Sequence, residues 1–389
     1  MPKIASIEAA IADLRAGRMV ILVDDEDREN EGDLVIAAEH VTGEAIAFMS
    51  KYGRGLICLA LPGEQLDRLD LAPMAEDNEA PLATAFTVSI DAADCPRSGV
   101  SAADRAATIL QAIAPGARPE HFRTPGHVFP LRAREGGVLM RSGQTEGSVD
   151  LARLAGLAPA GVICEVMAAD GSMQRLDSLL EFGHQHDIKV VTVADLIEYR
   201  VHSEPMVVEE ARSQLPTRFG TFDIAVFRTM VDGAVHVAMT MGEMKAERPT
   251  LVRVHRANML GDAFGIRMSH GRRNLEDALA RIAAEGCGAL VHLSTEQQAD
   301  ELADILAGYV ARDAGEPWPP PDTRQSKMDF REFGVGAQIL RQLGLGQLRV
   351  LTNHPMRLRA VSGFGLDIVE WLPLGDGAAD VDRSVGAPP

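Results

Sequence analysis

The sequence predicts a two-domain protein of the α/β (α+β layered) class. Three observations carry that expectation. The chain has 389 residues, about twice the usual span of one domain. Short continuous apolar runs, the mark of strands covered on both faces, alternate with helical periodicities. That alternation breaks near residue 200 and then restarts, which sets the expected domains at 1–202 and 203–389 with a junction within 200–212.

Ser6 stands where it can cap a helix over residues 7–16, in which Ile7, Ala10, Ile11 and Leu14 share one face before Gly17 ends it. Strands are expected at 19–23, 55–60, 84–90, 162–167 and 189–193, with helices at 43–52, 101–114, 145–156 and 174–186 between them. Residues 123–132 and 136–147 read as successive loops leading to a helix start near Thr145. After the polar, proline-bearing stretch 199–205, strands are expected at 206–208, 219–227, 234–240 and 250–254, then helices at 274–285, 296–312 and 334–343. The proline cluster at 316–322 suits neither helix nor strand, and residues 375–389 read as a frayed tail. No repeat of fixed period is present.

With 38 basic and 56 acidic side chains, the net charge of −18 argues against a surface that wraps nucleic acid or docks on anionic lipid. Hydrophobic residues make up 46% and aromatics only 4%, so aliphatic cores are expected. Cys58, Cys95, Cys164 and Cys287 are far apart and form no C-x-x-C pair; reduced thiols and a cytoplasmic location are expected.

The chemistry concentrates in three places. Residues 24–33 read Asp-Asp-Glu-Asp-Arg-Glu-Asn-Glu-Gly-Asp, seven carboxylates in ten positions directly after a strand. Such a cluster repels itself unless a cation sits in it, and Mg²⁺ takes carboxylate and substrate oxygens; a solvated acidic turn is the plainer alternative. Next, Gly143 and Thr145 open a helix beside Arg141, which suits a phosphate, and His127 is a candidate proton shuttle or a structural histidine. Finally, Glu165 interrupts the apolar run at 162–167, so it is either a tuned acid or base or a strand-end carboxylate facing solvent.

These motifs, with Pro-Gly-His-Val-Phe-Pro-Leu-Arg at 125–132 and Thr-Glu-Gly-Ser-Val-Asp-Leu-Ala-Arg-Leu-Ala-Gly at 145–156, resemble those of 3,4-dihydroxy-2-butanone-4-phosphate synthase of riboflavin biosynthesis, over residues 5–200. The resemblance implies a Mg²⁺-dependent lyase (Mn²⁺ substituting) that converts D-ribulose 5-phosphate to formate and L-3,4-dihydroxy-2-butanone 4-phosphate. It also implies a homodimer through the first domain. It assigns substrate contacts to Arg28, Asp33, Arg141, Thr145 and Glu165, the metal to Glu29, and proton movement to His127 and Glu165. The family's Gly-His-Thr-Glu supplies a second metal ligand; this chain has Gly-Gln-Thr-Glu at 143–146, so Gln144 stands in its place and weaker metal binding is expected. That exchange keeps open an alternative, a pseudoenzyme or scaffold that binds or regulates pathway enzymes.

Residues 214–375 resemble GTP cyclohydrolase II, through Leu-Pro-Thr-Arg-Phe-Gly-Thr-Phe at 215–222, Gly261-Asp262 and Asp329-Phe-Arg-Glu-Phe-Gly at 329–334. The family's zinc-binding C-x10-C-x-C cluster corresponds to residues 258–270, which hold no cysteine. His255 and His270 are the nitrogen donors expected nearby, and no zinc is expected. The resemblance with this loss implies a second domain without cyclohydrolase activity.

Overall fold

The computed structural model describes residues 3–25, 28–80, 84–95, 98–264, 271–294, 306–307, 310–311, 330–353 and 364–374. Most of the expected helix at 296–312, the proline cluster, the tail, His270 and Asp329 lie outside them. The chain divides into two compact units, Met1–Arg200 and Val201–Pro389, each built on a mixed sheet of seven strands among the described residues.

The first unit runs α1 (Ile7–Arg15), β1 (Val20–Val23), β2 (Gly32–Ala37), α2 (Gly43–Phe48), β3 (Cys58–Pro62), α3 (Gly63–Arg68), β4 (Ile90–Ala92), α4 (Ala102–Ile113), β5 (Phe122–Ala133), α5 (Gln144–Leu154), β6 (Gly161–Glu165), α6 (Leu176–His186), β7 (Lys189–Thr192) and α7 (Val193–Ser203). Its strand order is β4-β5-β3-β6-β2-β1-β7. Ser6, Thr42 and Ser101 each accept a hydrogen bond from the backbone N–H three residues on, which starts α1, α2 and α4.

Alternate residues of each strand go to opposite faces, and both faces are covered. Ile21, Val23, Leu34, Ile36, Leu59 and Val162 pack with Ile46, Ile109 and Leu179 of α2, α4 and α6 on one side. On the other, Val20, Leu22, Val35, Cys58 and Ile163 pack with Leu14, Leu151 and Leu196 of α1, α5 and α7. Gly147 lets α5 lie close: a Cβ there would sit 2.5 Å from Leu22 Cδ2. The helix carrying Gln144 and Thr145 is thereby fixed over the end of β1.

Three expectations need correction. β2 was not foreseen, because its first residues belong to the acidic run and hid its apolar half. Residues 122–133 are a strand rather than a loop, in spite of Pro125 and Pro130. The ladder is irregular there: Gly126 N–H donates to Ser89 Oγ (3.1 Å) and His127 N–H to Asp91 Oδ1 (2.9 Å), so side chains replace missing backbone partners. Of the strand expected at 84–90, only Ile90 lies in β4, with isolated bridges at Phe86 and Thr87.

The second unit runs β8 (Val207–Thr217), β9 (Gly220–Thr229), β10 (Val235–Met241), β11 (Thr250–Arg256), α8 (Met259–Phe264), α9 (Gly271–Glu285), β12 (Gly288–Leu293), α10 (Phe330–Gln342), β13 (Gln347–Leu351) and β14 (Asp367–Leu372). Its strand order is β14-β13-β11-β12-β10-β9-β8. β8 is an exposed edge strand that pairs along its whole length with β9, and its polar sequence explains why only its first residues were expected to be strand. Phe222, Leu251, Leu290 and Leu351 pack with Ala278 and Ile282 of α9 to form its core. No helix among the described residues is long and apolar enough to cross a membrane.

Candidate active site

The acidic run leaves β1 and returns as β2, and one residue organises the turn between them. The Asp24 side chain is fully buried, and its carboxylate accepts from Glu31 N–H (2.8 Å), Glu29 N–H (3.1 Å) and Arg28 Nη1 (2.6 Å). Arg175 holds the same turn from outside, donating to Glu29 O at 2.7 Å and to Asn30 O. In the sequence Asp24 is one of seven carboxylates of the acidic run, and its part in holding the turn depends on the folded loop.

Arg28 is the hub. Its Nη1 lies 2.6 Å from Asp24 Oδ2, 2.8 Å from Glu29 Oε2 and 2.8 Å from Gln144 Oε1. Three oxygens thus converge on one positive nitrogen, and two belong to the residues assigned to the metal. The donor set fits a hard cation: all are oxygens, at least one is an anionic carboxylate, and the site already gathers around a positive charge. Gln144 Nε2 is directed to Glu31 O at 3.5 Å, so the amide oxygen is the end presented to the centre.

Arg141 joins from the turn before α5. Its Nη1 lies 2.8 Å from Glu146 Oε2 and its Nη2 donates to Thr84 Oγ1 at 3.2 Å. Glu146 is buried, and its other oxygen accepts from Arg134 N–H (3.1 Å). A Cβ on Gly143 would sit 2.5 Å from Arg141 Nη1 and 3.2 Å from Arg28 Nη2, so both guanidinium groups meet at the N-terminus of α5, with Gly143 as its N-cap. Two cations and a helix N-terminus suit one phosphate. Thr145 is buried in that first turn.

Asp33 and Glu165 stand directly opposite each other on β2 and β6, so their side chains leave the sheet on the same face. Glu165 Oε2 accepts from Leu56 N–H at 2.8 Å, and Gly55 leaves room for it, since a Cβ there would fall 2.4 Å from that oxygen. Burial holds the Asp33 carboxyl well above its ordinary range, and the charges of Glu165, Glu29, Glu31 and Asp24 push the same way. Burial and Glu29 also raise Glu31. Cys164, next in the chain, is a packing thiol that burial pushes up to about 12.

His127 lies on β5. Its Nδ1 is 2.8 Å from Asp91 Oδ2 while its own N–H donates to Asp91 Oδ1, so Asp91 fixes the ring and leaves Nε2 as the proton-accepting atom. Cys58 pairs with Phe129 on one side and Ile163 on the other. His127 and Glu165 are each two residues from those partners, towards the same sheet end, so both lie on the face that carries Asp33. Two strand spacings, about 10 Å, separate their backbones. The structure thus joins Arg28, Glu29, Gln144, Asp33 and Glu165 at one sheet end and sets His127 across from them. Asp91 was not foreseen, because only folding brings it beside residue 127.

Comparison with known proteins decides the family. Residues 8–199 match the model for 3,4-dihydroxy-2-butanone 4-phosphate synthase, and residues 208–373 that for GTP cyclohydrolase II. A riboflavin biosynthesis protein RibBA of Aquifex aeolicus is 50% identical over 376 residues, 96% of this chain and 93% of that protein. The chain belongs to the 3,4-dihydroxy-2-butanone 4-phosphate synthase family. Like the Aquifex relative, this synthase-family chain has a role in riboflavin biosynthesis, and its second unit belongs with GTP cyclohydrolase II. The fold is similar to that of RibBX, a two-domain 3,4-dihydroxy-2-butanone 4-phosphate synthase from A. baumannii, at 38% identity and a TM-score of 0.76 over 96% of this chain and 100% of that one. A further synthase structure, 43% identical with a TM-score of 0.50 over 51% of this chain and 98% of that one, holds two magnesium ions.

Proposed function

We propose that the first unit converts D-ribulose 5-phosphate to L-3,4-dihydroxy-2-butanone 4-phosphate and formate with Mg²⁺, Mn²⁺ substituting, and that the second unit has no GTP cyclohydrolase activity. The observation that supports the first part most strongly is the convergence of Asp24, Glu29 and Gln144 oxygens on one cationic nitrogen beside the α5 N-terminus. Glu29 and Gln144 would hold the metal, which when bound would supply Lewis-acid polarisation of the substrate carbonyl.

The side chains would do the rest. Arg141, Arg28 and Thr145 would receive the phosphate and fix the sugar's direction. Asp33, whose carboxyl burial holds well above its ordinary range, would serve as the proton donor, and Glu165, opposite it across the β2–β6 ladder, as its partner in proton transfer. His127, oriented by Asp91, would take or return a proton at Nε2. The five carbons divide four to one, and no redox partner is required. The proposal extends to a homodimer in the cytoplasm: exposed Leu56, beside Glu165 and the site's open side, suits cover by a second copy. Loss of cyclohydrolase activity is supported by the absence of cysteine from residues 258–270, which removes the thiolate donors.

Purified full-length protein given D-ribulose 5-phosphate and Mg²⁺ should release formate in equal amount to the four-carbon phosphate, and GTP should persist. Absence of formate with either Mg²⁺ or Mn²⁺ overturns the first part and favours a pseudoenzyme; GTP-dependent formate overturns the second. Because Arg28 already occupies the Gln144 oxygen, Gln144→His should reach half-maximal rate at a roughly tenfold lower Mg²⁺ concentration or less. An unchanged Mg²⁺ requirement contradicts a ligating role for position 144.

A further inference from the structure

A second set of metal-type donors lies in the other unit, and the sequence did not bring it together. β11 and β12 run parallel with His255 directly opposite His292, so both imidazoles leave the sheet on one face, stacked with centroids 5.6 Å apart. α8 starts just past β11 and folds back over them: Asp262 N–H donates to Asn258 O (2.7 Å), and Asn258 N–H donates to Asp262 Oδ2 (2.8 Å). This turn aims the Asp262 carboxylate at the two rings. Both of its oxygens are 3.0 Å from His255 Nε2, and Oδ2 is 3.7 Å from His292 Nε2.

We propose that His255, Asp262 and His292 bind one divalent transition ion of the Zn²⁺ or Co²⁺ type. One ligand atom from each residue lies within 4.8 Å of the others. An ion bonded at about 2.0–2.1 Å to nitrogen and oxygen holds tetrahedral neighbours about 3.3 Å apart, between the 3.0 and 3.7 Å separations seen here. Two imidazoles and one carboxylate favour zinc, cobalt or nickel over magnesium or calcium, and three protein ligands leave a position for water. His255 is 4% exposed at its side chain, Asp262 14% and His292 31%, so the set is sunk in the unit but open on the His292 side, where an ion can enter. His255 Nδ1 is buried with no hydrogen-bond partner among the described residues, so strand packing, ring stacking and the Asp262 contact at Nε2 orient this imidazole, and affinity should fall below that of sites with a full supporting shell.

His270, which the sequence offered as the companion of His255, lies outside the described residues. His292 takes the part instead, from 37 positions along the chain. The proposal is independent of the synthase reaction, since none of its ligands belongs to the first unit. It differs from the thiolate site implied by the family in every donor.

The test is equilibrium dialysis of metal-stripped, full-length protein against Zn²⁺ in excess Mg²⁺, with Co²⁺ absorption as a spectroscopic check of the nitrogen ligands. The wild type should hold one Zn²⁺ per chain, and Glu29→Gln should hold the same. His292→Gln and Asp262→Asn should each bind more than about 100-fold more weakly, beyond the loss caused by removing a merely supporting contact. Zn²⁺ should raise the melting temperature of the wild type and leave that of His292→Gln unmoved. Should one variant fail to fold, the other serves. A wild type that binds no Zn²⁺, equal binding by wild type and variants, or loss of binding in Glu29→Gln overturns the proposal and leaves a hydrogen-bonded His–Asp–His cluster.

Discussion

Asp33→Asn should give a protein that is more stable than the wild type and almost inert. Asp33 is buried opposite Glu165 and in the field of Glu29, Glu31 and Asp24, with Arg28 engaged by two of those neighbours. An amide of nearly the same shape replaces a group whose ionised form this environment disfavours, so folding no longer has to protonate it. Substitutions that relax a strained functional site commonly add about 0.5–2 kcal/mol, and that gain is expected at neutral pH. The folded protein binds a proton at Asp33 more tightly than the unfolded chain does, so wild-type stability falls as pH rises from the ordinary value of 3.8 towards the raised one. The variant has no such group, so its advantage should widen over that interval and then level off. Formate release should meanwhile fall by about 10²-fold or more, the contribution of a positioned proton donor. Melting curves from pH 4 to 8 beside activity measurements check both halves. A variant less stable than wild type at pH 8, or a gap that does not change with pH, contradicts this account of Asp33.

Arg200→Met should have the largest effect on stability. Arg200 Nη1 lies 2.7 Å from Asp150 Oδ2 and 2.8 Å from Gly136 O, both side chains of the ion pair being buried. Val138 N–H donates to the same carboxylate oxygen (2.8 Å). The pair therefore ties α5 and α7 to the turn that leads into Arg141. Burial raises the Asp150 carboxyl even against the pull of Arg200, the Val138 N–H and Arg153, and Arg200 is the strongest of these three supports for its charge. Removing one partner of a buried pair costs about 3–5 kcal/mol, because the other charge is left in a medium that cannot solvate it. Asp150→Asn combined with Arg200→Met should recover part of that loss. Denaturant melts of the wild type and these two variants measure it; a loss under about 1 kcal/mol for Arg200→Met would mean that the pair is solvated in the folded protein.

Much of the first unit was legible because its strands are continuous aliphatic runs and its helices begin at Ser6 and Ser101, signals that need no distant partner. The part that was not legible depended on tertiary neighbours. Residues 122–133 look like a loop because proline and glycine normally end strands, and the bonds from Ser89 and Asp91 that complete the ladder come from more than 30 residues away. β2 was hidden because Gly32 and Asp33 seemed to belong to the acidic turn. The site residues Arg28, Glu29, Asp33, His127, Arg141, Thr145 and Glu165 were reached through chemistry and family resemblance. The residues that hold them, Asp24, Asp91, Glu146 and the Asp150–Arg200 pair, emerge only from packing. The same holds for His292, whose relation to His255 is a register between parallel strands and leaves no trace in spacing along the chain.

In the proposed reaction the pocket around Arg28 gathers a cation, a phosphate and a ketose against the Asp33–Glu165 pair. Formate release from D-ribulose 5-phosphate by wild type and Glu29→Gln, each titrated with Mg²⁺ from a chelated start, tests it most directly. The wild type should be silent in chelator and become active as Mg²⁺ is added, while Glu29→Gln should stay at least about 10²-fold slower at every concentration. Equal rates for the two proteins, or wild-type release that persists in chelator, would contradict it.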